Sequence, residues 1–155
     1  MSAELENTLV IETTKGPVKI EMRPDLAPKH VAHIKKLVRE GFYDDIVFHR
    51  VIDGFMAQTG CPQGTGTGGS KYPNLQAEFS AVPRTCGTAS MARAQNPNSA
   101  NSQFFICFDD ATFLDNQYTV WGEVVSGMEH VDALPKGEPP REPGKIKSMK
   151  VAADA

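Results

Sequence analysis

The chain has 155 residues, a hydrophobic fraction of 40%, a charged fraction of 23% and a formal net charge of -3. That suits one domain, residues 1–155, able to bury a core without disulfides or metals. Lysines and arginines are spread along a mildly acidic chain, so there is no clustered basic surface for nucleic acid, and no apolar run is long enough to span a membrane.

The opening residues, Met1 to Asn7, have neither the basic nor the apolar region of a secretory signal, and a cytoplasmic location is expected. Cys61, Cys86 and Cys107 are an odd set at wide spacings and read as reduced thiols. His30 and His33 are spaced as a metal pair could be, but lack further ligands at a recognised spacing, so a solvated helix face is the expectation.

Thr8–Thr13 and Val18–Met22 are rich in β-branched residues and flank the turn-like Thr14 to Pro17, which predicts a β-hairpin. Val18, Ile20 and Met22 alternate with Lys19 and Glu21, as in a strand wet on one face. Pro28, then Val31, Ile34, Leu37 and Val38 at helical spacing, and Gly41 mark an amphipathic helix covering one end of a β-structure.

Phe48 to Gln58 sets an arginine among large apolar residues at strand spacing. Alternation puts Phe48, Arg50 and Ile52 on one side and His49 and Val51 on the other. Gly54 permits a bend, after which Met56 and Gln58 share a face and Phe55 joins them only through the distortion. An arginine on a strand is ordinarily a solvated charge, and this stretch alone does not change that.

Gly60 to Lys71 reads as an exposed loop. Gly64, Gly66 and Gly69 match a dinucleotide-binding pattern, but Pro73 and Asn74 follow where a helix must begin, which disfavours nucleotide binding. Thr85 to Ala94 is a strand of small residues that leaves room above it. In Ser102 to Phe108, Gln103, Phe105 and Cys107 fall on one face and Phe104, Ile106 and Phe108 on the other, the second set being core. Ala111 to Gln117 exposes Phe113 and Leu114 on a loop or short helix. Tyr118 to Val125 is a strand carrying Trp121, Met128 to Leu134 a short helix, Pro135 to Gly144 a stiff proline-rich connection and Ile146 to Val151 a last strand. No repeat or linker divides the chain. Short strands with two separate helices indicate a mainly β, barrel-type core capped by helices.

Phe48 to Gln58, Gly66 to Gly69, Ser90 to Ala92, Ser102 to Cys107 and Phe113-Leu114 together resemble the cyclophilin-type peptidyl-prolyl cis-trans isomerases, in order and near their spacings, over Val10 to Val151. The resemblance implies a closed eight-stranded antiparallel β-barrel with a helix over each end and a substrate groove on its outer surface. By position, Arg50 matches the catalytic arginine, aided by Gln58. Phe55, Met56, Phe105 and Leu114 match the apolar pocket for proline. Gln58, Ala92, Arg93 and Gln103 match positions along the peptide, and Phe113 and Tyr118 the rim.

Three departures look bacterial: Phe113 where many eukaryotic members have tryptophan, Tyr118 at the family's histidine position, and Arg93 where many have asparagine. Together they imply weakened cyclosporin affinity, since the tryptophan absent at Phe113 contributes to cyclosporin binding in those members. The implied partners are proline-containing peptides and unfolded or partly folded proteins, engaged by a monomer without nucleic acid or membrane. Rotation about a prolyl amide needs no nucleophile, metal or cofactor. His49 has the opposite parity to Arg50 and is expected on the barrel side rather than in catalysis. The alternative reading is a non-catalytic module that binds proline-containing segments of partners.

Overall fold

The computed structural model describes residues 7–52, 55–61, 75, 87–92, 101–108, 119–137 and 144–152. Within them run β1 (Thr8–Thr13), β2 (Gly16–Met22), α1 (Pro28–Arg39), β3 (Arg50–Ile52), β4 (Met56–Thr59), β5 (Thr88–Met91), β6 (Phe104–Cys107), β7 (Val120–Ser126), α2 (Met128–Asp132) and β8 (Ile146–Val151). The fold is mainly β. The eight strands form one sheet in the order β3-β4-β6-β5-β7-β2-β1-β8, and every ladder in it is antiparallel.

The predicted hairpin is present, with Thr13 opposite Gly16. Thr13 Oγ1 donates to the Gly16 carbonyl at 2.7 Å and accepts the N–H groups of Lys15 and Gly16 at 3.1 Å each, satisfying turn backbone that the ladder leaves unpaired. Val18, Ile20 and Met22 are buried and their neighbours Lys19 and Glu21 exposed, as the alternation requires.

Pro28 sits in the first turn of α1, where a missing N–H costs no helical bond. At the other end Gly41, at φ 74°, and Phe42 donate their N–H groups to the carbonyls of Val38 and Leu37, so the glycine closes the last turn in a left-handed conformation. His30 reverses an expectation: it is buried, because with Ile34 and Leu37 it continues the apolar stripe at i, i+4 and i+7. α1 packs on β8, and α2 on β2.

The main core takes Leu9, Ile11, Val18 and Ile20 from the hairpin, Phe104 and Ile106 from β6, Trp121 from β7 and Met149 and Val151 from β8. Tyr43, Phe104 and Trp121 meet edge to face, at centroid distances of 5.6 and 5.3 Å.

Two expectations fail at the seam. The closed barrel is an open strand order: among the described residues β3 and β8, the outermost strands, share no ladder. The edge of β3 at Val51 is occupied instead by Gly137, each donating its N–H to the other's carbonyl at 2.8 Å. On its side away from β1, β8 and the residues leading into it meet the segment before β3, through Phe48 N–H to the Gly144 carbonyl, Ile146 N–H to the Ile46 carbonyl and the Val47–Lys145 bridge. Phe48 consequently joins the main core rather than the face of Arg50. β3 begins only at Arg50, so strand parity does not extend back to Phe48.

Candidate active site

On the face of the sheet turned away from the main core lies a second apolar cluster. Met56, Phe105 and Cys107 are buried in it, with Ile52, Phe55 and Ala92 packed against them. Register explains its composition. Ile52 pairs with Met56 and Met56 with Cys107, whereas Val51, Ala57, Ile106 and Ala89 form the neighbouring row and belong to the main core. Residues directly opposed across antiparallel strands share a face, so each row delivers its side chains to one side only.

The row beside Ile52, Met56 and Cys107 on that face is Arg50, Gln58, Phe105 and Ser90, opposed in succession across β3, β4, β6 and β5. It runs from an exposed guanidinium through a half-buried carboxamide to an aromatic ring only 4% exposed. Gln58 Nε2–H donates to Gln103 Oε1 at 2.9 Å. The Gln103 carbonyl accepts the Ala92 N–H, also at 2.9 Å, and the Phe55 carbonyl accepts the Phe108 N–H at 2.8 Å. A cation, two linked carboxamides and an apolar cluster therefore meet on one sheet surface.

His49, next to Arg50 in the chain but ahead of the start of β3, is buried. Burial, and then the charge of Arg50, holds its pKa below the ordinary histidine value. At neutral pH it is uncharged, whereas Arg50 carries a positive charge on its face of the sheet. Among the described residues, no group of three or more His, Cys, Asp or Glu side chains is placed to hold a metal ion.

The family model described as cyclophilin type peptidyl-prolyl cis-trans isomerase/CLD matches residues 8–151. The chain belongs to this family. It is 55% identical over 169 residues to a probable peptidyl-prolyl cis-trans isomerase of Brucella suis, covering 99% of this chain and 86% of that protein. It is 43% identical over 123 residues to peptidyl-prolyl cis-trans isomerase B of Bacillus subtilis, covering 78% and 85%. Among solved structures, a cyclophilin from Hirschia baltica superposes with a TM-score of 0.90 at 32% identity, covering 97% of this chain and 76% of that one. A Cryptosporidium parvum cyclophilin-type isomerase, crystallised in the presence of the dipeptide Ala-Pro, gives 0.87 at 30% identity, covering 93% and 98%. The protein is thus a cyclophilin-type peptidyl-prolyl cis-trans isomerase with a curled eight-stranded antiparallel sheet.

In this cyclophilin the sheet brings together seven of the residues singled out from the sequence: Arg50, Phe55, Met56, Gln58, Ala92, Gln103 and Phe105. Arg93, Phe113, Leu114 and Tyr118 lie outside the described residues. Ile52 and Cys107 also belong to the cluster, and each is two positions from a predicted site residue, so strand parity already marked them. Ser90 is buried in the Arg50 row, two positions from Ala92 in a motif the resemblance already included, and the β5–β6 register sets it opposite Phe105. Gly60 and Cys61, expected in an exposed loop, are buried because Gly60 packs on the backbone of Ser102 and Gln103. Cys61 and Cys107 are buried and form no disulfide, and Cys86 is outside the described residues.

Proposed function

We propose that the groove running from Arg50 across Gln58 to Phe105 binds proline-containing segments of unfolded or partly folded proteins and catalyses rotation about their X-Pro bonds. The supporting observation is the single cross-strand row that puts a cation, a carboxamide and a buried aromatic side by side.

A peptide bond resists rotation because nitrogen donates its lone pair into the carbonyl, leaving a barrier of roughly 18–20 kcal/mol. Catalysis requires tighter binding of the twisted amide than of either planar form. In the twisted state the proline nitrogen regains its lone pair, and Arg50 donates a guanidinium N–H to it. The arginine stays protonated at any working pH and carries several donors in a fixed fork. Phe55, Met56 and Phe105, together with Leu114, seat the pyrrolidine ring. Gln58, Gln103, Ala92 and Arg93 hold the flanking peptide, so that one side of the bond turns against the other. Phe113 and Tyr118 form the rim.

The same reading covers the whole chain as one isomerase domain, monomeric and cytoplasmic, with reduced affinity for cyclosporin because phenylalanine stands at position 113. Exchange NMR with an X-Pro tetrapeptide tests the site directly. Accelerated cis-trans exchange is expected together with peptide-induced shifts at Arg50, Gln58, Ala92, Gln103 and Phe105. Shifts confined to another face of the sheet would remove the groove from consideration.

A further inference from the structure

Behind the two carboxamides, Gln103 is held by a set of contacts that catalysis itself does not use. Gly60 adopts φ 98°, and a Cβ there would come within 2.8 Å of the Gln103 Cα and closer still to the Ser102 carbonyl oxygen. Only a glycine lets these two backbones touch. Fully buried Ser102 donates its Oγ–H to the Gly60 carbonyl at 2.7 Å. The Ser102 carbonyl accepts the Tyr43 hydroxyl at 2.8 Å. Tyr43 is fully buried as well, its ring wedged edge to face between Phe42 and Phe104. Burial pushes the Tyr43 phenol far above its ordinary value, so the hydroxyl remains a donor.

We infer that Ser102 and Tyr43 are positioning residues for catalysis: they fix the backbone of Gln103 against Gly60, and so place Gln103 Oε1 where Gln58 can donate to it. This rests on the reading that the two carboxamides hold the peptide. Buried hydrogen bonds of this kind cannot be exchanged for water without cost, and they anchor Gln103 to the rigid aromatic core rather than to a mobile surface. A displacement of order 1 Å in a substrate-holding group costs up to about a hundredfold in rate, so such an anchor has catalytic consequences.

The test is turnover of an X-Pro tetrapeptide, with kcat and KM resolved, by Tyr43→Phe, Ser102→Ala and Gln103→Ala and by each of the first two combined with Gln103→Ala. Tyr43→Phe removes one hydroxyl and leaves the ring. A fall of roughly fivefold to tenfold in kcat/KM is expected for it and for Ser102→Ala, vanishing in the Gln103→Ala background. A merely structural role lowers the melting temperature in both backgrounds and leaves kcat/KM of the folded enzyme alone. Wild-type kcat/KM in folded Tyr43→Phe, or a loss that persists when Gln103 is alanine, overturns the inference while the grip stands. Wild-type turnover by Gln103→Ala itself overturns the grip and the inference with it. If Ser102→Ala does not fold, Tyr43→Phe alone decides.

Discussion

Gln58 donates its Nε2–H to Gln103 Oε1 across 45 residues of sequence, at 2.9 Å. The bond uses one of the two N–H groups that Gln58 carries, leaving this side chain its second N–H and its carbonyl oxygen toward a peptide. It also ties the strand that faces Arg50 to the strand that carries Phe105, so the cationic and apolar halves of the groove share a common support.

Replacing Arg50 with alanine should lower kcat/KM about a hundredfold, the loss of about 3 kcal/mol expected for one preorganised donor to the transition state. Lysine at position 50 should recover less than about tenfold of that loss, since it supplies charge without the planar fork. A protease-coupled assay on a proline tetrapeptide measures both. Undiminished turnover by the alanine variant sinks the mechanism. Rescue of cells lacking the protein by that same variant would favour the binding-module reading.

Phe105 is 4% exposed and lies at the centre of the outer cluster. Truncation to alanine should cost roughly 3–5 kcal/mol of stability, as for other buried phenylalanines. Turnover should fall further than the unfolded fraction explains, because the proline seat is lost too. Urea denaturation, with activity measured well below the transition, separates the two effects.

Gly60→Ala should destabilise the protein by more than about 1 kcal/mol, since alanine must adopt a positive φ and its methyl meets the Ser102 carbonyl. Peptide KM should rise along with it as Gln103 is displaced. A variant as stable as wild type with unchanged KM would show that this contact relaxes freely.

His33 and His49 both titrate below their ordinary value of 6.5, burial being the first cause for each. The unfolded chain therefore takes up protons near that pH which the native state resists, and stability rises with pH through this window. It is fully present above 6.5 and lost as pH falls through the lower native values. Melting temperature should drop as pH falls below 6.5, and His49→Leu should flatten part of that slope. A melting temperature that holds or climbs on acidification contradicts the assignment.

Much of the fold was legible locally. The hairpin, α1 and the division of β6 into two faces follow from alternation and helical spacing, which are set by backbone geometry within a few residues. Phe105 and Cys107 fell on one face and Phe104 and Ile106 on the other, as parity requires. Parity failed at Phe48, where the strand had not yet begun. The closed barrel that the resemblance implied is not formed either, as Gly137 occupies the edge at Val51.

The sequence by itself determined which segments become strands, which face of each is apolar and, through motifs that run in the family's order, which family the chain belongs to. Only the tertiary structure decided that Arg50 stands opposite Gln58, that Gln58 reaches Gln103, and that Gly60, Ser102 and Tyr43 brace that pair from the core. The physical reason is range. Side-chain direction repeats every two residues along one strand, whereas register is chosen between strands far apart in the chain, and a slip of one residue turns every side chain to the other face.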